Sequence, residues 1–227
     1  VGHRDEHAMP ADDTATDSTG TTGAVPPAPG TVRPGGRTAR VRDAVLRAAG
    51  DLLSEAGFAG LDLAEVARRA GVGKTTVYRR WGTPEGLVAD LLVDMAEQSQ
   101  PRADTGSVAD DLRANARLVV ETLTDDRQGR LFRALVAAAL CDAQAERALR
   151  RFYAVRIDVW AGCVTDAVAR GELPAGTDPR RVITAVSAPL YYAFLVSGDP
   201  LDTAAADRAA AAALAAAHAG TLTAGPA

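Results

Sequence analysis

Six residues with the means to bind a polyanion fall within seven positions: Lys74, Thr75, Thr76, Tyr78, Arg79 and Arg80. They offer cations, hydroxyls and one amphipathic ring. That mixture suits phosphate oxygens and base edges better than an ordinary solvated helix face. An arginine can fork two hydrogen bonds onto guanine O6 and N7, and a threonine methyl can touch the thymine methyl. A side chain that holds phosphate fixes register and reads no sequence. Arg80 has two open readings, a phosphate contact or plain surface. Val77 and Trp81, four apart, fall on the inner side of the same two turns.

The surrounding stretch, residues 62–81, supplies the elements that position these groups. Leu63, Val66, Ala67 and Ala70 recur at helical spacing and stop at Gly71. Gly71-Val72-Gly73 then separates that short helix from a second one starting near Lys74. Two short helices joined by a three-residue, glycine-containing turn form a helix-turn-helix, whose second helix enters the major groove. Asp62 is placed as an N-cap with Glu65 in a capping-box-like position. Gly73 is the expected N-cap of the second helix. Thr83-Pro84-Glu85 opens the next helix with a capping hydroxyl, a proline at the first helical position and an acid in the first turn.

Charge follows the same division. The chain carries a formal net charge of −4 over 227 residues. Residues 1–30 hold one basic and five acidic groups, residues 31–90 ten and seven, and residues 91–227 fourteen and seventeen. The basic excess therefore sits with the helix-turn-helix, where an electrostatic footprint for nucleic acid belongs. Lys74 is the one lysine, so the arginine count alone carries little weight. Two cysteines, Cys141 and Cys163, give neither a disulfide framework nor a metal cluster, and no metal or cofactor is expected. No apolar run approaches the ~18 residues of a membrane span, and no signal-peptide core opens the chain. The expectation is a soluble cytoplasmic protein, with Met9 a candidate start.

Hydrophobic residues make up 47% of the chain with aromatics at 4%, and alanine is abundant, so an all-α fold of about nine closely packed helices is expected. Residues 1–36, almost empty of large apolar side chains, read as a disordered tail. Arg33, Arg37, Arg40 and Arg42 at its end form either a basic arm along the DNA or a solvated linker. A first helix is expected from Thr38 to Ala56, closed by Gly57. The fourth helix, from Pro84, ends before Pro101. These elements divide into a DNA-binding domain at 37–83, a connecting helix at 84–100 and a second helical domain at 101–227.

Amphipathic patterns beyond residue 100 place helices at 107–124, 130–140, 143–170, 179–197 and 202–219. Pro189 should kink the fourth of these. Phe132, Tyr153, Trp160 and Tyr191 are either core aromatics or the wall of a cavity between helices. Tyr191 and Tyr192, being adjacent, point about 100° apart on a regular helix. No buried charge stands out as a recogniser of any particular ligand.

The stretch RVRDAVLRAAGDLLSEAGFAGLDLAEVARRAGVGKTTVYRRWGTPEGLVADLL resembles the N-terminal domain of the tetracycline-repressor (TetR/AcrR) family, over about residues 38–93. RGELPAGTDPRRVITAVSAPLYYAFLVSGDPLD resembles a C-terminal domain of one branch of that family. The resemblance implies a homodimer on a palindromic operator, with a small-molecule effector in the second domain. It assigns base or phosphate contacts to Lys74, Thr75, Thr76 and Arg79, a phosphate contact to the Tyr78 hydroxyl, and burial to Val77 and Trp81. It also implies a four-helix dimer bundle from the last two helices, to which Val182, Val186, Leu190, Phe194 and Leu214 are assigned. The same residues closing the chain's own core is the other reading. The chain departs from the family pattern at Gly73, often serine, and at Pro84, often lysine; Pro84 leaves backbone N–H groups at that helix start to meet phosphate. A ligand-responsive repressor is the leading function. An effector-independent architectural or activating DNA-binding protein is the alternative, and an enzyme lacks any catalytic motif here.

Overall fold

The computed structural model describes residues 36–98 and 101–224. Among the described residues there are nine α-helices: α1 (Gly36–Ala56), α2 (Leu63–Ala70), α3 (Lys74–Trp81), α4 (Pro84–Glu97), α5 (Val108–Thr124), α6 (Asp126–Cys141), α7 (Ala143–Ala169), α8 (Pro179–Tyr192) and α9 (Thr203–His218). A 3₁₀ turn, Phe58–Gly60, follows α1, and a π-helical turn, Ala193–Ser197, follows α8. The expected tail lies outside the described residues apart from Gly36, which already belongs to α1. Arg33 and the side chain of Arg37 also lie outside them.

Side chains cap most of the helix starts. Asp62, Thr83, Ser107, Asp125, Asp142, Asp178 and Asp202 each accept from a backbone N–H of the helix that follows. Such a cap satisfies a donor that the helix itself cannot pair, at about 1 kcal/mol each. Asp125 explains why α6 begins four residues before the apolar pattern at 130. Its carboxylate receives the Arg127 and Gln128 N–H groups, so the polar first turn is helical without contributing to the stripe. Pro189 lies within α8, and the π turn follows directly after that helix ends.

Burial falls into two clusters. The first joins α1–α4 to α6 and the first half of α7, through Val45, Leu53, Val66, Leu92, Leu135 and Phe152. The second joins α5 to the second half of α7, α8 and α9, through Leu112, Val164, Val182, Val186 and Ala210. The expected boundaries at 83/84 and 100/101 therefore do not separate independent cores. Arg127 bonds Asp51, and Arg130 donates to the Ser54 carbonyl, which ties α6 to α1. The described residues beyond Gly36 pack as one unit.

The stripe that the resemblance assigns to a dimer interface is instead spent on the chain's own core. Val182 and Val186 have no exposed surface and Leu190 has 2%. They face α5, α7 and α9 of their own chain, because α8 runs between those helices and spends this stripe on them. Phe194 is buried beneath the Arg133 guanidinium, 4.0 Å from its ring centre. Leu214 is half-buried against the second cluster. What α8 and its π turn leave exposed away from the cavity is a different set: Pro189, Tyr192 and Val196; on α9, Ala211, Ala212 and Ala215 are exposed.

Candidate nucleic-acid interface and ligand cavity

The α2–turn–α3 unit is built by its two ends. Gly71 closes α2 in the left-handed region, φ +66°, which a side chain would strain. Leu63, Val66 and Ala67 of α2 and Val77 and Trp81 of α3 are buried against α1 and α4. Burying that face fixes which side of α3 meets solvent. Lys74, Thr75, Tyr78, Arg79 and Arg80 are exposed and Thr76 is half-buried, so the six candidate contacts share the outer surface of one two-turn helix. Arg40, on α1, is exposed as well.

Ion pairing separates the cations of the head. On α2, Glu65 binds Arg68 and Arg69, and Arg69 also reaches Glu55. Those hydrogen bonds, Arg68 first, hold the Glu65 carboxyl down at about 2. Glu65 is thus committed to arginines, and the Asp62 carboxylate alone supplies the side-chain cap of α2. On α3, Arg80 lies over the Trp81 ring at 5.0 Å. Among the described residues, Lys74 and Arg79 take part in no ion pair. The free positive charge of the unit is therefore concentrated on α3.

Arg42 is no part of a basic arm. It stands on α1, forks onto the Asp90 carboxylate and reaches Asp94 at 2.6 Å, while the Trp81 indole N–H donates to the second Asp90 oxygen at 2.9 Å. This cluster clamps α1, α3 and α4 together. Burial alone would raise the Asp90 pKa, but the hydrogen bonds from Arg42 and Trp81 outweigh it, and the folded pKa lies below the ordinary value. A depressed carboxylate stabilises the fold above its unfolded pKa, and that stabilisation is lost as pH falls through the folded value. Arg42→Met is therefore expected to cost about 1–3 kcal/mol near neutral pH. The difference from wild type should begin to shrink as pH falls below the ordinary carboxylate pKa of about 4, and should vanish once pH has passed the lower folded value, where the wild-type carboxylate is itself protonated. Urea melts at several pH values check this.

The start of α4 offers less to a phosphate than the sequence pattern implies. Thr83 Oγ1 accepts from the Gly86 N–H, and the Thr83 carbonyl accepts from the Leu87 N–H. Pro84 has no N–H, so the Glu85 amide is the donor left over. Gly86 is required by contact: a Cβ there would stand 2.4 Å from the Trp81 carbonyl oxygen.

Phe132, Tyr153, Trp160 and Tyr191 come together on the wall of one cavity of about 640 Å³ between α4, α5, α6, α7 and α8. The Tyr153 and Tyr191 rings meet edge to face at 5.2 Å, and burial, then the neighbouring Tyr191, raises the Tyr153 hydroxyl pKa. Tyr192 points the other way and is 60% exposed. Met95 and Gln98, at the end of α4, also line the cavity. So does Arg156, a half-buried cation that pattern reading passed over. Its position could have been noticed: it stands four residues after Phe152 and four before Trp160, on the aromatic face of α7.

Residues 45–91 match the family described as bacterial regulatory proteins, tetR family, and residues 102–213 match a tetracyclin repressor-like C-terminal domain. The chain is 31% identical over 160 residues to YdeS of Bacillus subtilis, an uncharacterized HTH-type transcriptional regulator, spanning 70% of this chain and 80% of that one. It is 33% identical over 150 residues to the HTH-type transcriptional regulator AqdR of Rhodococcus erythropolis, spanning 65% and 70%. Among solved structures, the TetR family transcription regulator SCO0332 is 30% identical with a TM-score of 0.64, covering 78% of this chain and 97% of its own. These relatives are regulators and not enzymes, and no helix among the described residues is long and apolar enough to cross a membrane. With its helix-turn-helix head and its helical second half both matched, this chain belongs to the TetR family of DNA-binding transcriptional regulators.

Proposed function

We propose that the chain acts as a homodimeric repressor of a palindromic operator and is released by a small molecule in the 640 Å³ cavity. The observation that carries this reading is the path of α4. Asp90, midway along it, holds Trp81 of the recognition helix, and Met95 and Gln98 at its end form part of the cavity wall. A ligand that displaces Met95 or Gln98 moves a helix that is bonded to α3. A twofold dimer must place two α3 helices at a fixed separation, so a small shift of each head breaks contacts in both half-sites. Coupling of about 1–3 kcal/mol is what such an arrangement needs to deliver. The exposed Tyr192 and Val196 at the end of α8 and in its π turn support assembly by a second copy.

The test is selection of bound duplexes from a random library by the purified full chain, repeated across salt concentrations. Enrichment of one palindrome is expected, with half-sites about one helical turn apart. Binding without enrichment, fading steeply as salt rises, would instead indicate sequence-independent contact with the phosphate backbone. Tyr78→Phe probes the phosphate role of the hydroxyl on a residue 47% exposed. It is expected to weaken binding to all duplexes alike, by roughly 3- to 10-fold. A changed base preference in a parallel selection would contradict that role.

A further inference from the structure

Most of the cavity wall is apolar, yet its single formally charged side chain faces no carboxylate. The lining residues include Arg156 and no aspartate or glutamate. Burial depresses the Arg156 pKa, and the one neighbour that counters this is the Tyr191 hydroxyl. The other polar residues on the wall, among them Gln98, Asn115, Gln128, Tyr153 and Tyr191, carry no charge that could answer it. A charge withdrawn from water is normally paired, so an arginine with no carboxylate on a largely apolar, aromatic wall defines what would complete the cavity.

We infer that the cavity receives a small organic anion: an aromatic carboxylate or sulfonate whose charged group pairs with Arg156. Its apolar body lies among Phe132, Tyr153 and Trp160. A single uncompensated cation selects one negative charge, and it disfavours cationic ligands by direct repulsion. An arginine also suits this task geometrically, because its planar fork binds a carboxylate or sulfonate through two parallel hydrogen bonds. This inference rests on the reading of the cavity as the effector site.

Two dyes with one ring system test it. 8-Anilinonaphthalene-1-sulfonate carries the charge, and N-phenyl-1-naphthylamine is the same skeleton without the sulfonate. The chain has two tryptophans, Trp81 in the head and Trp160 on the cavity wall. Energy transfer from Trp160 reports a dye in the cavity, and Trp160→Phe should remove that signal. Arg156→Gln is expected to weaken the sulfonate dye by about tenfold or more. It should leave the uncharged dye roughly where it was. Arg156→Lys, which keeps the charge, should restore most of the loss, and unchanged thermal melts establish that all variants are folded.

The anion assignment is overturned if Arg156→Gln leaves the sulfonate dye unaffected, or if both dyes weaken together in a folded variant. Should the uncharged dye bind beside Trp160 and release DNA with no contribution from Arg156, the anion class falls while the effector reading stands. Absence of transfer from Trp160 to either dye overturns both.

Discussion

Tyr192→Glu is expected to leave the chain folded and to remove tight binding to the palindrome. Tyr192 is 60% exposed and Val196 69%, and neither lines the cavity, so this part of α8 and its π turn contributes little to the chain's own core. A surface substitution there should change monomer stability by no more than about 0.5 kcal/mol. On α9, Ala211, Ala212 and Ala215 are exposed, and their small side chains let a second helix approach closely. A twofold axis through this face brings like to like, so one glutamate per chain becomes two carboxylates in an interface with its water removed. The linked second half-site is then lost, and with it an apparent affinity gain of about 10²- to 10⁴-fold. Sedimentation would report a monomer, and a duplex carrying one half-site would bind wild type and variant equally. A variant that stays dimeric, or a monomer that still holds the full palindrome as wild type does, would remove this face from the assembly. Val186→Glu could not make the same test, because Val186 is buried in the chain itself and its charge would unfold the molecule.

The contrast between Tyr192 and Val186 shows which parts of the fold a sequence can express. Local rules were legible because their causes are local: Asp62, Thr83-Pro84 and Gly71 act on the backbone within three or four residues. The outward face of α3 was legible too, since burying Val77 and Trp81 leaves the remaining positions outside. The role of α8 was not, because it is apolar on two sides and periodicity cannot say which side meets its own chain. Arg42 looked like part of a basic arm because its partners, Asp90 and Asp94, are 48 and 52 residues away. Arg156 failed to stand out for a related reason. Its significance is the missing carboxylate across a cavity bounded by five helices, and only the packed chain has that cavity.

Arg79→Ala is expected to change which sequences are bound more than how tightly DNA is bound in general. Arg79 is exposed on α3, it has no ion pair among the described residues, and its guanidinium is a fixed fork of donors. If that fork spans guanine O6 and N7, removing it erases discrimination at one base pair, worth about 1–3 kcal/mol. Selection with the variant should then return the same palindrome with one symmetric pair of positions relaxed. Lys74 supplies the comparison. It is also exposed and without an ion pair, but an ammonium offers a point charge without a bidentate fork, at the N-terminus of α3 where the helix dipole already favours phosphate. Lys74→Ala should weaken all duplexes alike and lower the salt dependence by about one unit per contact removed. Arg68→Ala is the control within the same unit, because its charge is already matched by Glu65 and its loss should alter neither preference nor salt slope. An Arg79→Ala profile identical to wild type at every position would assign Arg79 to the phosphate backbone and leave base reading to Thr75 and Thr76.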